Sequence, residues 1–251
     1  MIKASTYKAP DNLLKDKVIL ISGGGSGIGR EAGLTFSSFG AETILLGKDP
    51  SSLEETYSLY EKNNLKKPIL QAIDLETAQE EDFKNISNEV LKEFGKLDGL
   101  LNNAGILGTK TSIQNYDLEE WRRVSKVNFE SALLLTRSLF PVLEIPDNSS
   151  VVFTSSGVGK KGRAYWGAYA ISKFATEGLV QILSEELEKT SGIRVNAINP
   201  GPVETKMRAQ AYPAEDPKTL KSPKEVMNAY LFLMGIAVSY THLTLPTKRI
   251  V

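Results

Sequence analysis

The chain has 251 residues, 41% apolar and 24% charged, a composition that fits one soluble globular domain with a sizeable core. Thirty basic residues balance thirty acidic ones, so no net field recruits nucleic acid or an anionic membrane. There is no cysteine, and the one histidine, His242, is nine residues from the end; disulfides, thiol nucleophiles, zinc sites and a Ser-His-Asp triad in the body of the chain are excluded, and no metal is expected.

The first 17 residues, MIKASTYKAPDNLLKDK, carry no apolar segment of the signal-peptide kind. No later apolar run approaches the roughly 20 residues of a membrane span, so a cytoplasmic location is expected. Residues 17–22 (KVILIS) read as a short buried strand, running straight into Gly23-Gly24-Gly25-Ser26-Gly27-Ile28-Gly29 and then a helix through about Phe39. Strand, glycine loop and helix are the setting that phosphate binding requires. Glycines let the backbone turn tightly and approach a pyrophosphate, which then rests on the N–H groups of the helix N-terminus.

A second strand, residues 42–47, ends in Gly47 and is followed by Lys48. NAD-binding units of this kind carry an acid about 20 residues after the glycines to hold the ribose 2′-OH. Here no carboxylate ends the strand and a cation follows it, so NADP(H) is expected ahead of NAD(H), with Asp49 working against the preference. Residues 68–74 form a third strand, and residues 78–94 a helix with Phe83, Ile86, Val90 and Leu91 on its apolar side. A strand over 97–101 ends in Asn102-Asn103-Ala104-Gly105, and a long helix over 118–143 starts at Asp117 and Glu120, a capping-box-like pair.

The apolar run Val151-Val152-Phe153 delivers Ser155 and Ser156, and Tyr169 and Lys173 follow in a helical segment over 167–189. Positions i and i+4 share a helix face, with Cβ atoms about 5–6 Å apart. The Lys173 ammonium can thus sit beside the Tyr169 phenol and favour its ionised form, which makes a tyrosine a usable general acid or base. A strand-end serine can donate to a carbonyl oxygen as charge develops there. One such pair among nine tyrosines could also arise by chance. A strand over 193–199 ends in Pro200-Gly201, and Ser222-Pro223-Lys224-Glu225 is a capping box opening a helix to Met234. Strands alternating with helices predict an α/β fold, a doubly wound parallel sheet with helices on both faces and ligands at the carboxyl ends of the strands.

Together these residues resemble the short-chain dehydrogenase/reductase family over about residues 12–235, and the run GRAYWGAYAISKFATEG is similar to the YciK-like oxidoreductases of bacteria. The resemblance implies a single-domain Rossmann fold. It makes Ser22, Gly23, Gly25, Ser26, Gly27, Ile28 and Gly29 the cofactor loop, with Lys48 beside the ribose. Asp74, with Leu75 next to it, would contact adenine, and Asn103-Ala104-Gly105 would form the family's turn. Pro200, Gly201, Val203 and Thr205 would close on the nicotinamide carboxamide. Ser156, Tyr169 and Lys173 would be the catalytic set, Lys173 also holding the nicotinamide ribose, and Asn128 would hold a water relaying protons to Lys173. The implied reaction is hydride transfer between NADP(H) and a small carbonyl or alcohol, in a homodimer or homotetramer built on the long helices. Ser155 competes for the serine role; spacing and Gly159 favour Ser156.

Residues 206–220 fall where the family carries a mobile flap, and their composition suits a loop. Lys160, Lys161, Arg163 and Arg208 are expected to be a solvated rim rather than an anion site. After residue 235 the pattern stops. Residues 236–251 replace the expected final strand, and residues 238–243 match a translation of a transposase end sequence used in preparing DNA libraries, so the tail reads as foreign. A divergent tail with a short edge strand over 243–245 is the other reading. Two other functions stay open: a cofactor-binding regulator or scaffold, against which an intact Ser-Tyr-Lys set argues, and an epimerase or dehydratase, against which the glycine spacing and the short chain argue.

Overall fold

Strands covered on both faces must be apolar at nearly every position, not at alternate ones. In β1 (Val18–Ser22) all five residues are buried. The computed structural model describes residues 7–235 and the backbone of Thr244–Pro246. After β1 come α1 (Gly27–Ser38), β2 (Glu42–Gly47), α2 (Pro50–Lys62), β3 (Ile69–Ala72), α3 (Glu80–Phe94) and β4 (Gly99–Asn102). The second half runs through α4 (Leu118–Ser125), a π turn (Lys126–Glu130), α5 (Ser131–Leu143), β5 (Ser149–Thr154) and α6 (Gly167–Leu187). It ends with β6 (Ile193–Asn199), α7 (Lys206–Ala211), α8 (Met227–Met234) and β7 (Thr244–Pro246).

The strands form one parallel sheet in the order β3-β2-β1-β4-β5-β6-β7, the doubly wound Rossmann arrangement expected. Successive side chains leave opposite faces. Ile19 and Ile21 therefore pack with Phe36 of α1, Tyr60 of α2 and Tyr230 of α8, whereas Val18 and Leu20 pack with Phe83 of α3, Leu135 of α5 and Val180 of α6. β1 is paired on both sides, Leu20 lying opposite Ile44 of β2 and Leu100 of β4. The order in which the chain adds strands reverses between the parallel neighbours β1 and β4, and at such a switch point a doubly wound sheet binds its ligand beyond the carboxyl ends of the strands.

Several elements differ from expectation. Helix α2 has no counterpart in the sequence reading, although Asp49-Pro50 signals it: the Asp49 carboxylate accepts from Ser51 N and proline takes the first turn. Asp49 thus caps α2 while keeping its charge. Leu91, expected on the apolar side of α3, is 48% exposed. The long helix over 118–143 is continuous, but its middle is a π turn, which places one extra residue per turn at Asn128. Its start is half as expected: Asp117 caps Glu119 N and Glu120 N, while the Glu120 side chain turns to Arg123. The Ser222–Glu225 box forms as expected. In the flap, α7 is a short helix where a loop was expected, because Thr205 Oγ1 accepts from Arg208 N and caps it.

Thr244–Pro246 pairs with β6 in parallel, Ile198 opposite Leu245, so the short strand considered for 243–245 begins one residue later. His242 and the rest of the tail lie outside the described residues. Among the described residues no helix is long and apolar enough to cross a membrane.

Candidate active site

The glycine loop owes its shape to close backbone contact. Gly23 sits at φ +74°, and a Cβ there would lie 3.0 Å from Ala104 Cα; a Cβ on Gly29 would collide with the Gly23 carbonyl oxygen. Ser26 caps α1 with an extended backbone and no side-chain bond across the first turn, leaving those N–H groups to face a ligand. A bare, positive helix end behind a glycine cradle suits a pyrophosphate. Ser22, expected in the cofactor loop, also ties that loop to its neighbour. Its buried hydroxyl accepts from Asn103 N (3.0 Å) and Ala104 N (3.1 Å), tying the end of β1 to the turn after β4. Asn103 completes the tie: its Nδ2 donates to Ser22 O and its Oδ1 accepts from Thr154 Oγ1 at 3.2 Å, so three strand ends are joined.

Lys48 and Asp74, expected on the 2′-phosphate and adenine respectively, meet each other. Lys48 Nζ lies 2.8 Å from an Asp74 oxygen and 3.5 Å from Glu76. The hydrogen bond from Lys48 holds the Asp74 carboxyl below its ordinary range. Leu75 beside it is buried.

Helix α6 carries the tyrosine and lysine at the carboxyl end of β5. Ser156 stands near enough to the Tyr169 hydroxyl to influence its titration, and Lys173 Nζ lies 5.7 Å from the Tyr169 ring centre. The structure corrects the expected electrostatics. Burial pushes the Tyr169 phenol up, and only Ser156 acts downward. The Lys173 ammonium is turned instead to the Thr154 carbonyl at 2.8 Å, and burial lowers its pKa to about 8. A neutral phenol is the form that gives a proton.

Asn128 stands in the π turn with its amide committed. Oδ1 accepts from Ile106 N at 2.7 Å, and Nδ2 donates to Ile106 O at 2.9 Å and to Ser172 Oγ at 3.2 Å. It clamps the chain just beyond Gly105, whose missing Cβ would lie 3.3 Å from Asn128 Oδ1 and 3.9 Å from Lys173 Nζ. Ser155, considered as a strand-end hydroxyl bonded to backbone, donates instead to Glu177 Oε1.

The segment after β6 folds back over this centre. Gly201 sits at φ +73°, Val203 is buried, and Thr205 Cγ2 would touch a Cβ on Gly27 at 3.3 Å, so the segment packs against the glycine loop. Pro200 leads into that turn, and Ile28, on α1, packs against the core. Above Tyr169, Trp166 lies 5.7 Å away between ring centres and Tyr212 a further 5.8 Å from Trp166. Lys110, not singled out from the sequence, packs on both rings and donates to Ala211 O at 2.7 Å, holding α7 down. Lys160, Lys161 and Arg163 are exposed as expected, while Arg208 is half-buried and bidentate with Glu215. Neither Lys110 nor Glu177 had a local signal beyond spacing: Glu177 falls four residues after Lys173, on the same face of α6.

Residues 17–216 match the family model described as short chain dehydrogenase. The chain is 42% identical over 229 residues to the Escherichia coli K12 oxidoreductase YciK, covering 91% of this chain and 90% of that one. It is 33% identical over 249 residues to the chloroplastic NADPH-dependent aldehyde reductase 1 of Arabidopsis thaliana, covering 92% and 83%. A short chain dehydrogenase from Escherichia coli CFT073, solved in complex with NADPH, superposes with a TM-score of 0.92 at 42% identity, covering 96% of this chain and 100% of that one.

Proposed function

This chain belongs to the short chain dehydrogenase family of oxidoreductases, and on that premise we propose that it interconverts a carbonyl and an alcohol using NADP(H). The observation that carries the proposal is the buried Tyr169 phenol, with Ser156 beside it and Lys173 Nζ 5.7 Å from its ring centre, on the helix that follows the carboxyl end of β5. The NADPH complex of one relative and the NADPH dependence in the name of another support the cofactor. NADPH, when bound, supplies the hydride.

Within the chain, the α1 N-terminus and the loop amides hold the pyrophosphate. Ser156 donates to the substrate oxygen and fixes it against Tyr169. Tyr169, kept neutral by burial, gives its proton to that oxygen in the reductive direction and takes it back in the oxidative one. Lys173 holds the ribose hydroxyls and provides positive charge below Tyr169 as the phenol loses its proton. The amide of Asn128, committed to Ile106 and Ser172, fixes the wall near Lys173, where a held water would relay protons to Lys173. Leu107, Val158, Trp166, Met207 and Tyr212 pack around Tyr169, with the Lys110 ammonium on two of the rings, and this mainly apolar and aromatic surround favours a carbonyl with an aromatic or alicyclic body. NADPH oxidation against a panel of aromatic, alicyclic and short aliphatic aldehydes and ketones tests this. No turnover of any carbonyl, and no oxidation of the matching alcohols, sinks it.

Lys48 must share itself between Asp74, Glu76 and a 2′-phosphate. Lys48→Ala is therefore expected to cost about tenfold in NADPH affinity, the low end for a charge-assisted contact on an exposed side chain, and little in NADH affinity. Equal losses for both nucleotides, in fluorescence titrations, would remove Lys48 from the phosphate site.

Ile171, Phe174 and Ile182 are exposed on one face of α6, with open space at Gly178 between them. We assign this face to a helix-to-helix contact between two copies. Phe174→Glu is expected to convert the assembly to monomers by light scattering; an unchanged mass would place the contact elsewhere.

A further inference from the structure

Helix α6 buries a carboxylate that the proposed reaction does not use. Glu177 is 6% exposed and Lys173 5% exposed, one turn apart on the same face. Ser155 Oγ donates to Glu177 Oε1 at 2.5 Å, a short charge-assisted bond in a buried setting. A buried carboxylate is costly unless paired and hydrogen-bonded. Ser155 also donates its backbone N–H to Ile198 O at 2.7 Å, so the residue before Ser156 is held by β6 on one side and by α6 on the other.

We propose that Glu177 is a positioning residue for proton transfer at Tyr169: its carboxylate supplies the counter-charge that keeps Lys173 protonated, and through Ser155 it fixes the end of β5 that presents Ser156. The inference rests on the reading of Ser156, Tyr169 and Lys173 as the proton-transfer set.

The surroundings of Lys173 favour this assignment. Burial pulls its proton off toward about pH 8, and the charge of Glu177 opposes that pull. Among the described residues, Tyr169 on its own helix has its ring centre 5.7 Å from Lys173 Nζ, and Tyr230 of α8 reaches it only through Thr154, whose Oγ1 shares a hydrogen bond with the Tyr230 hydroxyl. From the long helix it is met by Asn128 across Gly105, and from β5 by the Thr154 carbonyl, both neutral. Among the described residues Glu177 is thus the acid placed to hold that ammonium charged. Without its charge the ammonium loses its proton at lower pH, so the sign of the effect is fixed.

Glu177→Gln keeps an oxygen for the Ser155 hydroxyl and removes the charge. Its alkaline limb of kcat/KM is expected to move to lower pH by about one unit, roughly a tenfold loss on that limb. NADPH affinity at pH 6.5, read by fluorescence, should stay within about twofold, because there Lys173 is charged in both proteins. Ser155→Ala keeps the charge and removes the donor. It is expected to leave the limb in place and lower kcat by about tenfold with the KM for NADPH unchanged. A folded Glu177→Gln with the native pH profile overturns the counter-charge. Should that variant fail to fold, Ser155→Ala decides: native kcat overturns the proposal. If the native chain neither binds NADPH nor turns over any carbonyl, the functional reading falls and this inference with it. A working native enzyme with unshifted variants removes Glu177 alone.

Discussion

Tyr169→Phe is expected to lower turnover by about 10²–10⁴-fold while NADPH binding stays within a few-fold. The substitution deletes one oxygen and keeps the ring, so the packing of Tyr169 against Trp166 and Leu107 survives. What is lost is the proton that burial holds on the phenol, with Ser156 left beside the ring. Lys173 keeps its bond to the Thr154 carbonyl, so the floor of the nicotinamide end is unchanged. Two measurements read the outcome: single-turnover kinetics with the best carbonyl substrate, and the rise in unfolding temperature with NADPH. Turnover within tenfold of the native chain would take the proton-donor role away from Tyr169. Loss of the NADPH response would mean that the residue builds the cofactor site rather than serving the chemistry.

Gly29→Ala has the largest expected effect on binding. The added Cβ would overlap the Gly23 carbonyl oxygen and lie 2.7 Å from Asn103 Nδ2. The oxygen belongs to backbone, which cannot swing aside as a flexible side chain would. Either the first turn of α1 or the loop must open, and with the loop goes the tie between Ser22, Asn103 and Ala104. Overpacking of this kind costs about 1–3 kcal/mol in stability. NADPH at about 100 times its dissociation constant should add roughly 2.7 kcal/mol to the native chain and nothing measurable to the variant. Gly162→Ala is the control, since a Cβ there meets nothing within 4 Å. Thermal unfolding of the three proteins with and without NADPH settles the matter. A variant that still responds to NADPH would show that phosphates do not rest on this loop.

The periodic and covalently local features were legible before the fold was known. Alternating strands and helices dictated the parallel sheet, because a strand covered on both faces writes itself as an unbroken apolar run such as residues 18–21. The Ser222–Glu225 cap and the four-residue step from Tyr169 to Lys173 are local in the chain and follow from local backbone geometry, and the glycine loop was legible beside them although its close fit also depends on Asn103 and Ala104. Which partner each charged or polar side chain chose was decided by tertiary structure. Lys48 turned to Asp74, Ser22 to the turn after β4, Lys173 to Thr154, Ser155 to Glu177, and Lys110 to a carbonyl 101 residues away. The direction of the Tyr169 shift reversed for the same reason. Spacing told that a lysine stands beside the phenol, but desolvation depends on everything packed around it, and that is a property of the assembled core. Sequence spacing fixes which groups share a helix face; only packing fixes the dielectric they share and the bonds they spend.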